Sequence, residues 1–255
     1  MSGISGVSNS YSSYSMYGKI ASGSRIQSAA DDAAGLAISE KLTSQENGLN
    51  KGTQNAQSGQ DLLNVSDGAL GSITDNLQRI RELAVQASSG LLTDSDKKDI
   101  QAEVDQLKQG IGDIADQTTF NTKPILNGDS SLSMATDSNG NSVSVNTTNA
   151  TLSALGIEDF DVTGDFSIDT IDKALDKVTT ARAKGGAQYN ALSSTISYNN
   201  YAAQNTAASN SRIEDLDIPK ALTDLTKQNL LNTYKIFMQK SANAAAQNRN
   251  TVLFR

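Results

Sequence analysis

Asp75, Arg79 and Glu82 are spaced so that, on a helix, one guanidinium has a carboxylate at i−4 and another at i+3. Leu83 and Gln86 continue the row at i+4 and i+7 from Arg79, on the same face. That is the chemistry of ion pairing and recognition. For catalysis the chain is poorly equipped, since it contains no Cys, no His and no Trp. Without Cys there is no disulfide framework and no thiolate site. Without His it lacks the commonest metal ligand and the commonest general base. Carboxylates are plentiful, but none is paired in a pocket-like context. The expectation is a non-enzymatic protein with no metal and no cofactor.

The 255 residues can form one large domain or two smaller ones around a real core. A net charge of −7 and a pI near 4.6 argue against nucleic acid or anionic membrane as partner. No run of eighteen apolar residues is present to span a bilayer. The start, MSGISGVSNSYSSYSMYG, lacks the apolar and basic regions of a secretory signal. By composition alone the protein would be cytoplasmic.

The elements that must carry the Asp75–Gln86 row are helices. From Ala33 a heptad runs through Leu42, Leu49, Ala56, Leu63, Leu70, Leu77 and Ala84 without a phase break. Asp31 and Asp32 suit its N-terminus. Asp32 to Ser88 would span roughly 85 Å as one helix. The second seam position reads Gln45, Gly52, Gly59 and Ser66 before it becomes Ile73, Ile80 and Ala87. Gly35, Gly48, Gly52, Gly59, Gly68 and Gly71 each weaken a helix by about 1 kcal/mol against Ala. Such a helix needs neighbours packed into its glycine notches, and its firmest core should lie from Leu62 onward. Gly90 is placed for a left-handed C-cap.

A second amphipathic helix starts at the Thr93–Asp96 cap and carries Ile100, Val104, Leu107, Ile111 and Ile114, antiparallel to the first after a short turn. Asn139-Gly140, between Leu132-Ser-Met134 and Val143-Ser-Val145, predicts a β-hairpin. The rest of 120–166 reads as exposed loops. A long helix follows over about 169–215, and Pro219 breaks or kinks it. The last helix has apolar residues all round, so it should be buried or interface-bound. Residues 1–24 are polar and support at most a marginal helix unless partners bury it. The fold class is therefore mainly α, an elongated antiparallel helical bundle or coiled coil with a small β-hairpin region. Lengthwise pairing of helices with sticky ends suits a polymer subunit, because a contact that does not close generates a filament. A cytoplasmic coiled-coil scaffold is the alternative, disfavoured by the glycine-notched seam and the apolar tail at Val252 and Leu253.

Several motifs also carry a family resemblance. Arg25-Ile26, Ala30-Asp-Asp-Ala-Ala-Gly-Leu36, Leu77-Gln-Arg-Ile-Arg-Glu-Leu-Ala-Val-Gln86, Gln117-Thr-Thr-Phe-Asn121, Ser211-Arg-Ile-Glu-Asp215 and Val252-Leu-Phe-Arg255 resemble bacterial flagellin in order and spacing. The match covers most of 20–127 and 185–255, and 128–168 matches only in kind. The resemblance implies a minimal flagellin without large outer domains. Segments 1–31 and 216–255 would form the inner filament domain. Residues 32–127 and 169–215 would form the core domain, with 128–168 a variable surface segment bearing the hairpin. The stretch before Gly23-Ser-Arg25 is about a dozen residues shorter than usual, or roughly 18 Å of helix.

The resemblance further implies a filament subunit for swimming motility, exported unfolded through the flagellar type III apparatus without a cleaved signal. That places it outside the cell. Implied partners are further copies of itself, an export chaperone, and the filament cap and hook-associated proteins. Vertebrate Toll-like receptor 5 is implied as well, reading Gln78, Arg79, Leu83 and Glu103. Leu222, Leu225, Leu230, Leu231, Phe237, Val252 and Leu253 would serve polymerisation and chaperone binding. A hook–filament junction protein is the nearest rival, because it shares the terminal helices. On this reading Leu63, Leu70, Ile73, Leu77 and Ile80 govern stability, and Arg79 and Leu83 govern recognition.

Overall fold

The computed structural model describes residues 14–253, with side chains described through residue 247. Six helices and two antiparallel strand pairs follow one another among these residues. Helix α1 covers residues 14–22, α2 Ala29–Ala87 and α3 Asp94–Gln117. Strand β1 (Thr119–Phe120) pairs with β2 (Lys123–Pro124), and β3 (Ser131–Ala135) with β4 (Ser142–Asn146). Then come α4 (Leu152–Leu155), α5 (Ile168–Glu214) and α6 (Ile218–Leu253). The chain divides into two compact units. One combines the described residues up to Ser44 with those from Asn205 on, and the other is Gln45–Gln204.

In the first unit, Asp32 leaves helical geometry (φ −164°, ψ 94°), and its Oδ1 accepts the Gly35 amide at 2.8 Å. It therefore caps the long run of α2 that follows. The Arg25-Ile26 motif and the Gly23-Ser24 before it meet the Ser211–Asp215 motif. Arg25 N donates to Glu214 O at 2.7 Å, Leu216 N to Gly23 O at 2.9 Å, and the Arg25 guanidinium to Ile213 O at 2.6 Å. Gly23 reaches a left-handed φ of 71° to make that approach. Asp31 accepts Lys19 at 2.6 Å and the Gln27 amide, and these bonds hold its carboxyl down to about 2.

The second unit is a bundle of α2, α3 and α5. Arg79 of α2 meets Glu103, while Asn76 lies beside Gly110, so α3 runs antiparallel to α2. Arg81 meets Asp172 and Asp67 meets Arg182, so α5 is antiparallel as well. Thr93 makes a full capping box with Asp96 at the start of α3. Ile100, Val104 and Ile111 are buried, with Leu107 and Ile114 partly so, as the spacing predicts.

The hairpin has the expected strands, pairing Leu132 with Val145 and Met134 with Val143. It sits in the glycine notches of α2. A Cβ at Gly48 would lie 2.7 Å from Ser138 Cα, and one at Gly59 2.8 Å from Met134 Cε. Gly68 and Gly71 face open space, so the notch explanation covers only part of the glycine set.

The structure departs from two expectations. Gly90 has no left-handed φ; the end of α2 is closed by the Ser88 hydroxyl on Val85 O (2.7 Å) and by turn bonds from Ser89 N and Leu92 N. Nor is the remainder of 120–166 a set of solvated loops. Ile125, Leu126, Leu155, Ile157, Phe160 and Val162 are buried in the main core. Polar staples hold this irregular backbone down. Lys177 Nζ donates to Ala154 O and Leu155 O, Lys108 Nζ to Phe160 O, and the Val162 amide to Gln101 Oε1. The short β1–β2 pair, unforeseen in the sequence, turns through Asn121 and Thr122, both at positive φ.

Candidate recognition and assembly surfaces

Arg79 lies on the outer face of α2, and α3 brings Glu103 to it. Its Nε and Nη2 reach Glu103 Oε1 at 2.9 and 2.8 Å, and Nη1 reaches Glu82 Oε2 at 3.0 Å. Among the described residues these are its carboxylate partners; Asp75, expected from the i−4 spacing, is not one of them. The charge of Asp75 acts instead on Arg182 of α5, where it favours the protonated guanidinium. Both carboxylates hold the guanidinium firmly protonated, Glu103 contributing most. Gln78 and Gln86 are exposed beside it. Gln78, Arg79 and Glu103 thus occupy an accessible surface, and hydrogen bonds join Arg79 to Glu103.

Leu83 does not belong to that surface. It is 2% exposed and part of the main core. Two heptad seams suffice for one neighbour, but α2 has both α3 and α5 against it. The buried arc therefore widens to the position that holds Leu62, Ala69 and Leu83. Leu83 joins the stability set.

Helix α6 is the reverse case. Asp217 caps it through Lys220 N at 3.1 Å, with Pro219 in the first turn, where its missing N–H costs nothing. Ala221 and Leu225 are buried. Leu222, Leu230, Leu231 and Phe237 are exposed, as are Tyr234, Ile236 and Met238. Val252 and Leu253 lie beyond the described side chains. Missed by sequence reasoning were the helix-to-helix pairs Arg81–Asp172 (2.7 Å) and Arg182–Asp67 (2.8 Å). Opposite charges flanking the seams of two heptad helices were the available signal.

The sequence profile of the bacterial flagellin N-terminal helical region matches residues 5–131, and that of the C-terminal helical region matches 168–251. The chain belongs to the bacterial flagellin family. It is 37% identical to the flagellar filament 31.3 kDa core protein of Treponema maltophilum, over 92% of this chain and 90% of that protein. To the flagellin of Bacillus subtilis it is 36% identical, over 90% and 89%. The crystal structure of Bacillus cereus flagellin superposes with a TM-score of 0.50 at 27% identity, covering 57% of this chain and 88% of that one. A putative flagellar hook-associated protein from Vibrio parahaemolyticus shares the fold, with a TM-score of 0.60 at 13% identity, over 72% and 100%. In flagellin terms, the regions matched by the two profiles are those joined by the α2–α5 pairing and the Arg25–Glu214 contact.

Proposed function

We propose that this flagellin is a structural, non-enzymatic subunit that polymerises into the extracellular flagellar filament used for swimming. The observation that carries the reading is the uncovered apolar surface of α6, where seven large residues from Leu222 to Met238 are 47% to 70% exposed. A soluble monomer gains nothing from such a surface, whereas a polymer buries it. The relatives named as filament core proteins support the same reading. Segments 1–31 and 216–255 would pack as the inner filament domain. Before assembly the chain would leave the cell unfolded through the flagellar type III apparatus, with α6 held by an export chaperone. The cap and hook-associated proteins would meet it at the filament ends.

The test is electron microscopy of purified protein under polymerising conditions. Long helical filaments are expected; discrete short assemblies would instead favour a junction protein. A pull-down of the chaperone insensitive to removal of residues 222–255 would count against the α6 assignment.

The exposed Gln78–Arg79–Glu103 surface is the proposed site for Toll-like receptor 5. A guanidinium already oriented by two carboxylates loses little freedom on binding. Arg79→Ala should weaken binding by about 2 kcal/mol, as desolvated interface arginines do. Unchanged affinity, with helicity intact, would refute the site.

A further inference from the structure

The chain contains three Asn-Gly pairs, and the fold treats them differently. Asn47-Gly48 lies inside α2, with Gly48 pressed against Ser138. Asn127 is anchored, its Nδ2 donating to Asp116 Oδ1 at 2.8 Å. Asn139 and Gly140 are both exposed in the turn joining β3 to β4. The Asn139 backbone amide is held by Asp137 Oδ1 at 2.8 Å. The Gly140 amide makes a long bond of 3.4 Å to Asp137 O and also faces the Asp137 carboxylate, so it lies in an exposed turn and not in a helix ladder. Gly140 sits at φ 83° and has no Cβ to shield its nitrogen.

We propose that Asn139 is a site of spontaneous deamidation, driven by the backbone of Gly140. The Gly140 nitrogen attacks Asn139 Cγ, forming an N–C bond. The side-chain nitrogen leaves as ammonia, taking the proton the amide gives up, and a five-membered succinimide remains. Bulk water then opens either carbonyl, giving aspartate or, with the main chain rerouted through the side chain, isoaspartate. The sum is asparagine plus water to a carboxylate plus an ammonium ion, the ammonia taking up the proton of the new acid, with no oxidant or catalyst required.

Proximity separates the three sites. The reacting nitrogen and carbon must meet at near-attack distance, which a helix ladder forbids at Asn47 and an anchored amide hinders at Asn127. Isoaspartate would also reach the α2 notch. It adds a methylene to the backbone one residue from Ser138, which is seated on Gly48. The new carboxylate adds a negative charge two residues from Asp137, whose carboxylate already accepts the Asn139 and Asn141 amides and the Asn141 side chain. Hairpin packing should loosen as a result.

The experiment ages the full chain at mildly alkaline pH and maps its peptides by mass spectrometry with isoaspartate detection. Asn139 should convert about tenfold faster than Asn127 or Asn47. Equal rates at the three sites, or an intact Asn139 beside a converted Asn127, would overturn the proposal. Asp116→Ala frees the Asn127 amide and should raise that site's rate several-fold; an unchanged rate would remove the ranking's physical basis. Hydrogen exchange over 131–146 should quicken in the aged chain and stay slow in aged Asn139→Ser. Equal exchange in both would refute the structural consequence.

Discussion

The C-terminal half of α2 and the helix α6 are written in similar residues and meet opposite fates. In α2, Leu63, Leu70, Ile73, Leu77, Ile80 and Leu83 are at most 6% exposed. In α6, Leu230 and Phe237 are 70% and 67% exposed. The difference lies in arrangement. The α2 leucines and isoleucines fall on one arc of the helix, so α3, α5 and the 150–162 segment can cover them together. The α6 residues encircle their helix, and no single packed face can bury them. An arc suits a core made within one chain; a ring suits a helix surrounded by other chains.

The largest expected effect tests that contrast directly. Leu77→Ala should cost about 2–5 kcal/mol of unfolding free energy, because the residue is fully buried and its neighbours cannot collapse completely. Phe237→Ala should change monomer stability by about 0.5 kcal/mol or less, while slowing filament growth. Chemical denaturation of both variants settles the matter. A Phe237 loss as large as that of Leu77 would mean α6 is packed in the free chain.

Leu83 and Arg79, four residues apart on α2, repeat the contrast on a smaller scale. Leu83→Ala should cost about 2–4 kcal/mol, as a core truncation does. Arg79→Ala should cost far less, since its ion pairs are half exposed and screened by solvent. Thermal melts that reversed this order would return Leu83 to the surface.

The glycines of α2 give a third pair with opposite signs. A Cβ at Gly52 would stand 2.5 Å from the Thr136 carbonyl carbon, which is backbone and cannot swing away. Gly52→Ala should cost about 1–3 kcal/mol. Gly68 has nothing within 4 Å, so Gly68→Ala should stabilise by up to about 1 kcal/mol through helix propensity. Urea midpoints moving in the same direction would break the notch explanation.

These pairs also mark where sequence reasoning reached. The long helices, the capping box at Thr93 and the hairpin were legible because each rests on a local period or a local turn signal. Leu83 was misplaced because a heptad reading counts seams for one partner, and the second partner comes from α3 folding back. The buried run from Leu155 to Val162 was hidden by its surroundings. Ser, Thr, Asn and Asp dominate there, and the backbone is satisfied by Lys108, Lys177 and Gln101, which are distant in sequence. Burial that depends on long-range hydrogen bonds leaves no periodic trace. The family motifs marked Arg79 and Glu103, but only the packed helices show that they are bonded to each other.

The smallest effect concerns charge across the α2–α5 seam. Arg182 donates to both oxygens of Asp67, and that hydrogen bonding holds the Asp67 carboxyl below its usual range. A carboxylate with a depressed folded value stabilises the fold above its unfolded value of about 3.9, and loses that contribution as pH falls through the folded value. Asp67→Asn should therefore be less stable than the parent near neutral pH, by less than about 1 kcal/mol because the pair is solvent-screened. The gap should close as the pH is lowered past the unfolded value. Unfolding curves at neutral and acid pH make the comparison. A gap that persisted in acid would assign the loss to packing of the Asp67 side chain, and the seam between these helices would owe nothing to its charges.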